Sequence, residues 1–591
     1  MKGTTMATIS MTIDGVRVDV ESGATILEAC RSAGITLPTL CYLRDVAENA
    51  SCGVCVVEVK GARSLVRSCV TKVIPHMDVQ TSSARVQTAR KTAVELLLAN
   101  HPMDCLSCIR NGSCELQSMA ERLNVRQARF PATKKTVTLD ETSPSITRDN
   151  NKCILCGRCV AVCKEVQSVA AIDFAGRGIR THIGTFMDRG LKHSVCTNCG
   201  QCSVVCPTAA IVENDETEAV FKALRDPSKV VVVQTAPAIR ASIGEAMGME
   251  MGALVTGKMV AALRKLGFNR VFDTQFSADL TIMEEGTELL ERLAKGGTLP
   301  MITSCSPGWI SFIETFYPKL LKHLSSCKSP QQMFGALAKS YYAEKTGIDP
   351  ANMVVVSIMP CTAKKFEAHR PEMQSAWHWW KQKGRKGMEP FFDVDYALTT
   401  RELARMIKNV GLDFAHLEEQ PFDDPLGQST GAAVIFGTTG GVMEAAVRTA
   451  YEVATGTPLP NINLTAVRGL EGIKHAALDV GGKTLKVAVA HTLKNARILL
   501  DEIAAGKSEY AFIEVMTCPG GCIGGGGQPI LPDREKREAR AKSLYVEDKD
   551  MPLRKSHQNP AVMELYKSFL GKPLSHLSHE LLHTHYTHHA V

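Results

Sequence analysis

Apolar and polar residues alternate at the amino terminus. Ile9, Met11 and Ile13 lie on one side of Asp14-Gly15, and Val16, Val18 and Val20 on the other. Period-two alternation around Asp-Gly predicts a β-hairpin. Thr25 and Glu28 have the spacing of a capping box ahead of a short helix that stops near Gly34. Ser82 and Ser83 precede a second helical pattern, with apolar positions Val86, Ala89, Ala93, Leu96 and Leu97, closed by Asn100-His101-Pro102. From about residue 215, helical patterns alternate with short β-branched runs, as at 230–233 and 354–358, which predicts a large α/β domain. No apolar run approaches the roughly 18 residues of a membrane span. The opening MKGTTMATISMTIDG has no apolar signal core, so a cytoplasmic location is expected.

Composition narrows the class. The chain has 591 residues, 45% hydrophobic and 22% charged, with a net charge of +7 and 5% aromatic residues. A charge this diffuse and a chain this poor in aromatics argue against nucleic-acid binding. Twenty-one cysteines are the outlier. A disulfide framework suits short secreted chains, so regular clusters in a long chain without a signal point to metal.

Four groups of cysteines carry that chemistry. Cys41, Cys52, Cys55 and Cys69 follow the hairpin and helix as C-x10-C-x2-C-x13-C. Four thiolates in long asymmetric gaps favour a 2Fe–2S cluster over zinc, and the pattern is that of a β-grasp ferredoxin. His101 lies four residues before Cys105, Cys108 and Cys114. This set of one histidine and three cysteines suits a 4Fe–4S cluster whose imidazole should raise the potential. Cys153, Cys156, Cys159 and Cys163 form C-x2-C-x2-C-x3-C, repeated by Cys196, Cys199, Cys202 and Cys206 before Pro207. This is similar to the two-cluster bacterial ferredoxin pattern, in which the fourth cysteine of each run serves the other cluster. The implied sets are Cys153, Cys156, Cys159, Cys206 and Cys196, Cys199, Cys202, Cys163.

The last cysteines are scattered through the α/β region. They lie in TSCSPGW (303–309), MPCTAKKFE (359–367) and EVMTCPGGCIGGGGQP (514–529). The glycines after Cys522 and the run 437–441 lack the Lys-Ser/Thr or G-x-G-x-x-G context of a phosphate cradle. Glycines beside cysteine are expected to let backbone pack against a bulky inorganic group. Residues 371–389, with three of the four tryptophans, read as a surface insertion and a candidate docking patch. The histidines at 576, 579, 583, 585, 588 and 589 read as a surface tail. Cys30 reads as a small core residue, and Cys327 has no assigned role.

Together the three stretches resemble the iron-only (FeFe) hydrogenases, over nearly the whole chain. That resemblance implies an H-cluster: a 4Fe–4S cubane joined through a cysteine sulfur to a two-iron centre with CO, cyanide and a dithiolate. It implies Cys361, Cys518 and Cys522 as ligands, with Cys522 as the bridge. It implies Lys364 as donor to a cyanide, Met359 and Met516 as packing groups, and Pro237 and Ala238 as the opposite wall. The family carries two adjacent cysteines in the first motif, one relaying protons and one ligating the cubane. Here the pair is Cys305-Ser306, so either Cys305 ligates or Ser306 ligates through oxygen. Glu285, Glu288 and Ser325, with Arg292 outermost, match the family's proton path.

The implied architecture is multidomain, α+β and α/β. It comprises a β-grasp 2Fe–2S domain (1–83), a 4Fe–4S module with one histidine and three cysteine ligands (84–142), a two-cluster ferredoxin-like domain (143–214) and an H-cluster domain with a small-subunit-like tail (215–591). The expected cofactors are one 2Fe–2S cluster, three 4Fe–4S clusters and the H-cluster. The expected activity is reversible oxidation of H2. Electrons would pass to ferredoxin or to a flavin-containing, NAD(P)-linked partner subunit, with bifurcation as one form; no nucleotide site is expected on this chain. The alternative is a non-catalytic electron-transfer or H2-sensing protein, since the first two hundred residues also resemble the cluster-bearing subunit of respiratory complex I.

Overall fold

The computed structural model describes residues 8–131, 137–480 and 483–589. The Thr8–Ile13 and Val16–Glu21 strands pair antiparallel across Asp14 (φ 48°) and Gly15 (φ 84°). Two left-handed residues in succession give the tight turn whose twist matches that of the strands. The amino-terminal sheet runs Val16–Glu21, Thr8–Ile13, Asp78–Gln80, Val56–Val59, Val66–Arg67. The Ile26–Ser32 helix, closed by the Thr25/Glu28 capping box, covers its core with Ile26, Leu27, Ala29 and Cys30.

The Ala84–Ala99 helix is capped by Ser83, but its buried face differs from the apolar positions read in sequence. Val86, Arg90, Val94 and Ala99 are buried, whereas Leu96 is half exposed. Arg90 reaches the Val56 carbonyl from this face, so a polar side chain sets the stripe and turns Leu96 outward. The next module pairs Ile146–Arg148 antiparallel with Ile211–Glu213. Between these strands the two cysteine runs each lead into one helical turn, at Arg158–Ala161 and Gln201–Val204.

The remaining chain builds two sheets. The first runs Arg270–Asp273, Val230–Thr235, Met353–Met359, Tyr396–Thr399, all parallel. The second runs Met301–Ile302, Phe512–Met516, Lys483–His491, Ile473–Val480, with only the last strand antiparallel. Strands covered on both faces read as continuous apolar runs. Val231 and Val233 enter one core and Val232 the other, as the two-residue repeat of a strand requires. Ile513 and Val515 likewise oppose Phe512 and Met516.

After the second sheet the chain returns over the first. The Arg534–Asp550 helix is fixed by buried ion pairs: Arg540 to Glu245 (2.5 Å), Glu547 to Arg240 (3.1 Å) and Asp548 to Arg448 (2.8 Å). The tryptophans at 377, 379 and 380 do not form a free patch. Trp379 is buried against Phe569, and the indoles of Trp377 and Trp380 donate to the carbonyls of Met388 and Lys339. The histidine-rich end is not wholly a surface tail either, because His583 is buried. No described helix is long and apolar enough to cross a membrane.

Candidate active site and electron path

Parallel strands bring their carboxyl ends together, which is where open α/β sheets place their ligands. Here two sheets do so around one cavity. Ala236-Pro237 follow the Val230–Thr235 strand, Pro360-Cys361 follow Met353–Met359, Cys305-Ser306 lie just beyond Met301–Ile302, and Thr517-Cys518 follow Phe512–Met516. The cavity is walled by Cys305, Ser306, Cys361, Cys518 and Cys522. Pro237, Ala278, Met359, Phe436 and Met516 make it apolar. Burial pushes the Cys522 thiol up to about 12 and those of Cys361 and Cys518 upward. Sulfurs converging in an apolar space, where burial outweighs the opposing charge of Lys364, suit a soft metal centre that deprotonates them itself.

The glycines of the third motif serve backbone packing more than the cavity. A Cβ on Gly524 would lie 2.0 Å from the Pro519 carbonyl oxygen, and one on Gly525 2.0 Å from that of Pro360. The run 437–441 is a helix start. Glu514, inside its strand, accepts from the Gly440 (2.6 Å) and Met443 (2.7 Å) amides, and a Cβ on Gly441 would meet the Ile435 carbonyl oxygen at 1.7 Å.

Cys305 and Ser306 face different groups. Burial raises the Cys305 thiol, the charge of Glu285 adds to this, and that of Lys364 opposes it. Ser306 Oγ lies 2.7 Å from Thr517 Oγ1, on the residue before Cys518. Lys364 Nζ is held by Glu367 (2.8 Å) and donates to the Cys305 carbonyl (3.2 Å). Glu367 also accepts from Ser329 and Gln331. The carboxylate thus aims the ammonium, a role the sequence reading missed although Lys364 and Glu367 stand three apart on one helix. Ala238 departs from its expected place. It is buried among Val434, Ile523 and Leu544, behind the wall that Ala236 and Pro237 form. The 237–239 helical turn rotates its side chain away from the cavity.

Glu285 lies on the Thr274–Lys295 helix behind Cys305. Burial, with the charge of Glu288 adding to it, raises its carboxyl to about 8. The Ser325 hydroxyl and the Ser304 amide act on it, but neither of its carboxylate oxygens has a hydrogen-bond partner at bonding distance. Ser325 Oγ donates to Glu288 (3.0 Å), and Glu288 pairs with Arg292 (2.6 Å). Ser326 contributes both its amide (3.1 Å) and its hydroxyl (3.1 Å) to Glu288.

The other cysteines form a line of sulfur groups. One cavity is walled by Cys163, Cys196, Cys199 and Cys202, a second by Cys153, Cys156, Cys159 and Cys206. The charge of Cys361 bears on Cys199, and that of Cys199 on Cys518, so the first group adjoins the central cavity. Gly200 and Gly526 meet in the seam; a Cβ on Gly526 would lie 2.3 Å from the Cys199 carbonyl oxygen. His101, Cys108 and Cys114 are half-buried, and Cys105 is exposed, in the connection to the Glu115–Arg122 helix. That helix joins the second group through Glu115, whose amide donates to Pro207 (2.9 Å) and whose carboxylate pairs with Arg158 (2.7 Å). Cys41, Cys55 and Cys69 are buried and Cys52 half-buried, with the Cys55 and Cys69 sulfurs 3.4 Å apart. Asn49 reaches the Cys156 carbonyl (2.9 Å), and Cys52 shares an apolar cluster with Cys114 and Ile154. Both amino-terminal groups therefore converge on the Cys156 group.

Residues 229–526 match the model of the iron-only hydrogenase large subunit, C-terminal domain. The chain is 51% identical over 593 residues to the NADP-reducing hydrogenase subunit HndD of Solidesulfovibrio fructosivorans, covering 98% of this chain and 99% of that one. The chain belongs to the iron-only (FeFe) hydrogenases. This hydrogenase oxidises H2 reversibly at an H-cluster and relays the electrons through iron–sulfur clusters. It is also 41% identical over 581 residues to iron hydrogenase 1 of Clostridium pasteurianum, with 97% of this chain and 99% of the relative covered. The FeFe-hydrogenase HydA1 variant E141A of Chlamydomonas reinhardtii superposes with a TM-score of 0.57 at 44% identity, covering 64% of this chain and all of that one.

The remaining modules of the hydrogenase match separately. Residues 6–84 match a 2Fe-2S iron-sulfur cluster binding domain and 534–589 the iron hydrogenase small subunit. Residues 90–129 match the NADH-ubiquinone oxidoreductase-G iron-sulfur binding region, and 143–212 the NADH-quinone oxidoreductase subunit 3, ferredoxin-like domain. The likeness to complex I is thus confined to the electron-carrying half. The cavity fits an H-cluster by its donor set: buried sulfurs at one end, Lys364 as cation, and an apolar wall against the rest.

Proposed function

We propose that this hydrogenase is the H2-activating subunit of an NAD(P)-linked assembly. Electrons pass from the cavity through the Cys199 and Cys156 groups and leave by the two amino-terminal clusters. The observation that carries the reading is the meeting of cysteine loops from two sheets in one dry cavity, with a sulfur line on one side and a carboxyl line on the other. The full complement is one 2Fe–2S cluster, three 4Fe–4S clusters and the H-cluster, in segments 1–83, 84–142, 143–214 and 215–591. His101, Cys105, Cys108 and Cys114 hold one of the 4Fe–4S clusters.

At the cavity, Cys361, Cys518 and Cys522 would hold the H-cluster through their sulfurs. Ser306 supplies the fourth donor through oxygen, because its hydroxyl lies at the Cys518 side while Cys305 faces Glu285. When bound, the H-cluster supplies the splitting and formation of H2. Lys364, oriented by Glu367, donates to an anionic acceptor on the cluster; in a dry site such a charge-assisted bond is strong. Met359, Met516 and Pro237 exclude water. Cys305 exchanges a proton with the Glu285 carboxyl, which is near its titration point at neutral pH. Ser325 passes the proton to Glu288, which is paired with Arg292 at the outer end.

Reducing equivalents go to a flavin-containing NAD(P)(H) subunit, with ferredoxin as the other acceptor. The 51% identity to an NADP-reducing hydrogenase subunit supports this, as do the two complex I-like segments. A reducing cytoplasm suits twenty-one free cysteines. The test is purification from the native host followed by H2 evolution with NADPH or NADH. Co-eluting flavin and nucleotide-dependent H2 support the reading. Full activity with ferredoxin in a flavin-free preparation that ignores both nucleotides refutes it.

A further inference from the structure

The chain's carboxyl-terminal segment sets a histidine against the outer carboxylate of the proton route. His583 is buried, with its ring between two acidic residues of the Thr274–Lys295 helix. Its Nδ1 lies 2.9 Å from Ser326 Oγ and 4.0 Å from Cys327 Sγ, and its Nε2 lies 3.1 Å from Glu284 Oε2. Ser326 Oγ bonds in turn to Glu288 Oε2, the oxygen that also takes the Ser325 hydroxyl. One carboxylate oxygen thus joins two serines, one leading inward toward Glu285 and one leading to His583. Backbone pairing fixes this register: Lys328 N–H donates to the Leu582 carbonyl and Thr584 N–H to that of Ser326, both at 2.8 Å. Glu284 is held by the Tyr566 hydroxyl (2.6 Å) and the Leu574 amide (2.8 Å).

We propose that His583 is a proton-holding side station on the Glu288 end of the route, reached through the Ser326 hydroxyl. The proposal rests on reading Cys305, Glu285, Ser325 and Glu288 as that route. Each H2 oxidised releases two protons, whereas a single file of carboxyls empties one at a time. A station beside the last carboxyl holds one proton while the next arrives. Imidazole suits the task, because one ring nitrogen can take up a proton while the other is bonded on the opposite side. The transfer balances. Protonated Glu288 gives its proton to Ser326 Oγ as Ser326 gives its own to His583 Nδ1. This leaves a Glu288 carboxylate, an unchanged hydroxyl and an imidazolium whose Nε2–H rests on the Glu284 carboxylate. The reverse transfer returns the proton once Glu288 has emptied toward Arg292.

The titratable groups around the ring are consistent with this. Glu284 and Glu288 face it from the helix, with Arg292 on the far side of Glu288. The Cys327 thiol is pushed far up by burial and stays neutral. The Tyr566 hydroxyl donates to Glu284. His579 lies against His583, tilted by 42° with ring centroids 4.3 Å apart, and is exposed, with Glu291 also bearing on it.

The test uses matured holoenzyme and three variants. H583Q keeps an acceptor toward Ser326 and a donor toward Glu284 but cannot hold the proton. Its H2-oxidation rate should fall by about tenfold, less than the roughly 10²–10⁴-fold of a group on the direct line, because the route through Glu288 stays open. Its pH–rate curve should lose one titrating limb, while the infrared spectrum of the active site stays that of the parent. S326A cuts the bridge without touching the ring and should give the same loss, which keeps the proposal testable should H583Q fail to assemble. E288Q separates the two levels of the reading. A collapsed E288Q beside an H583Q or S326A with parental rate and pH profile overturns the side station and leaves the route standing. A silent E288Q overturns the route itself.

Discussion

Gly526→Ala is the sharpest probe of the seam between the electron-carrying half and the catalytic half. Its Cβ would stand 2.3 Å from the Cys199 carbonyl oxygen and 2.7 Å from the Cα and carbonyl carbon of Gly200, all backbone atoms. Backbone cannot swing aside, so the seam must open by about 0.7 Å to reach even a tight contact. The bonds that cross it have little slack. Gln201 Nε2 meets the Gly524 carbonyl at 2.9 Å, Gln167 Nε2 the Thr517 carbonyl at 3.1 Å, and Thr362 Oγ1 the Asn198 carbonyl at 2.7 Å. Stretched that far, the two glutamine bonds leave hydrogen-bond range. Overpacking costs about 1–3 kcal/mol, and each lost bond adds about 1 kcal/mol. The assay is calorimetric melting of the loaded enzyme together with H2 evolution driven by electrons delivered at the amino-terminal clusters. G526A should melt earlier and evolve H2 more slowly. Gly244→Ala, where the added methyl would meet only side-chain atoms of Met249 and Val255 at 3.5–3.6 Å, is the control for the added methyl. The reasoning fails if G526A melts and turns over no differently from G244A.

Three further outcomes follow from the site. Glu285→Gln should lower turnover by about 10²–10⁴-fold, the usual span for a lost proton carrier, with cluster content unchanged; parental turnover would remove Glu285 from the route. Cys305→Ser should lower turnover by about 10²-fold with the cubane retained, and Ser306→Cys should keep turnover while shifting the paramagnetic spectrum of the cubane. Loss of the cubane in C305S but not in S306A would make Cys305 the ligand. His491 is held low, at about 4, by burial, so it is neutral in the folded chain. Its unfolded form takes up a proton below about 6.5, so stability is complete above that pH and is lost as pH falls toward 4, by on the order of 3 kcal/mol. His491→Gln should flatten that acid limb in denaturant titrations between pH 4 and 7; an unchanged slope would contradict the assignment.

What the sequence made legible was local. The hairpin at Asp14-Gly15, the Thr25/Glu28 capping box and the cysteine runs depend on residues a few positions apart, so spacing exposes them. The two parallel sheets were legible as a class, because strands buried on both faces must be apolar throughout. What stayed hidden was set by partners far along the chain. Leu96 is outward because Arg90 reaches Val56 on the opposite face. Trp379 packs against Phe569, and His583 against Glu284, across gaps that no pattern spans. Ala238 sits next to a cavity residue, yet one helical turn sends its methyl into another cluster. Glu367 was the exception within reach, since its three-residue spacing from Lys364 was in plain view.

The central claim is that Cys361, Cys518 and Cys522 seat a carbonyl- and cyanide-bearing iron centre in the cavity between the two sheets. Infrared spectroscopy of the matured chain under H2 and then CO tests it most directly. The account predicts CO and cyanide stretching bands that shift between the two gases and vanish in Cys522→Ala. Their absence after full maturation, or their persistence in C522A, would contradict it.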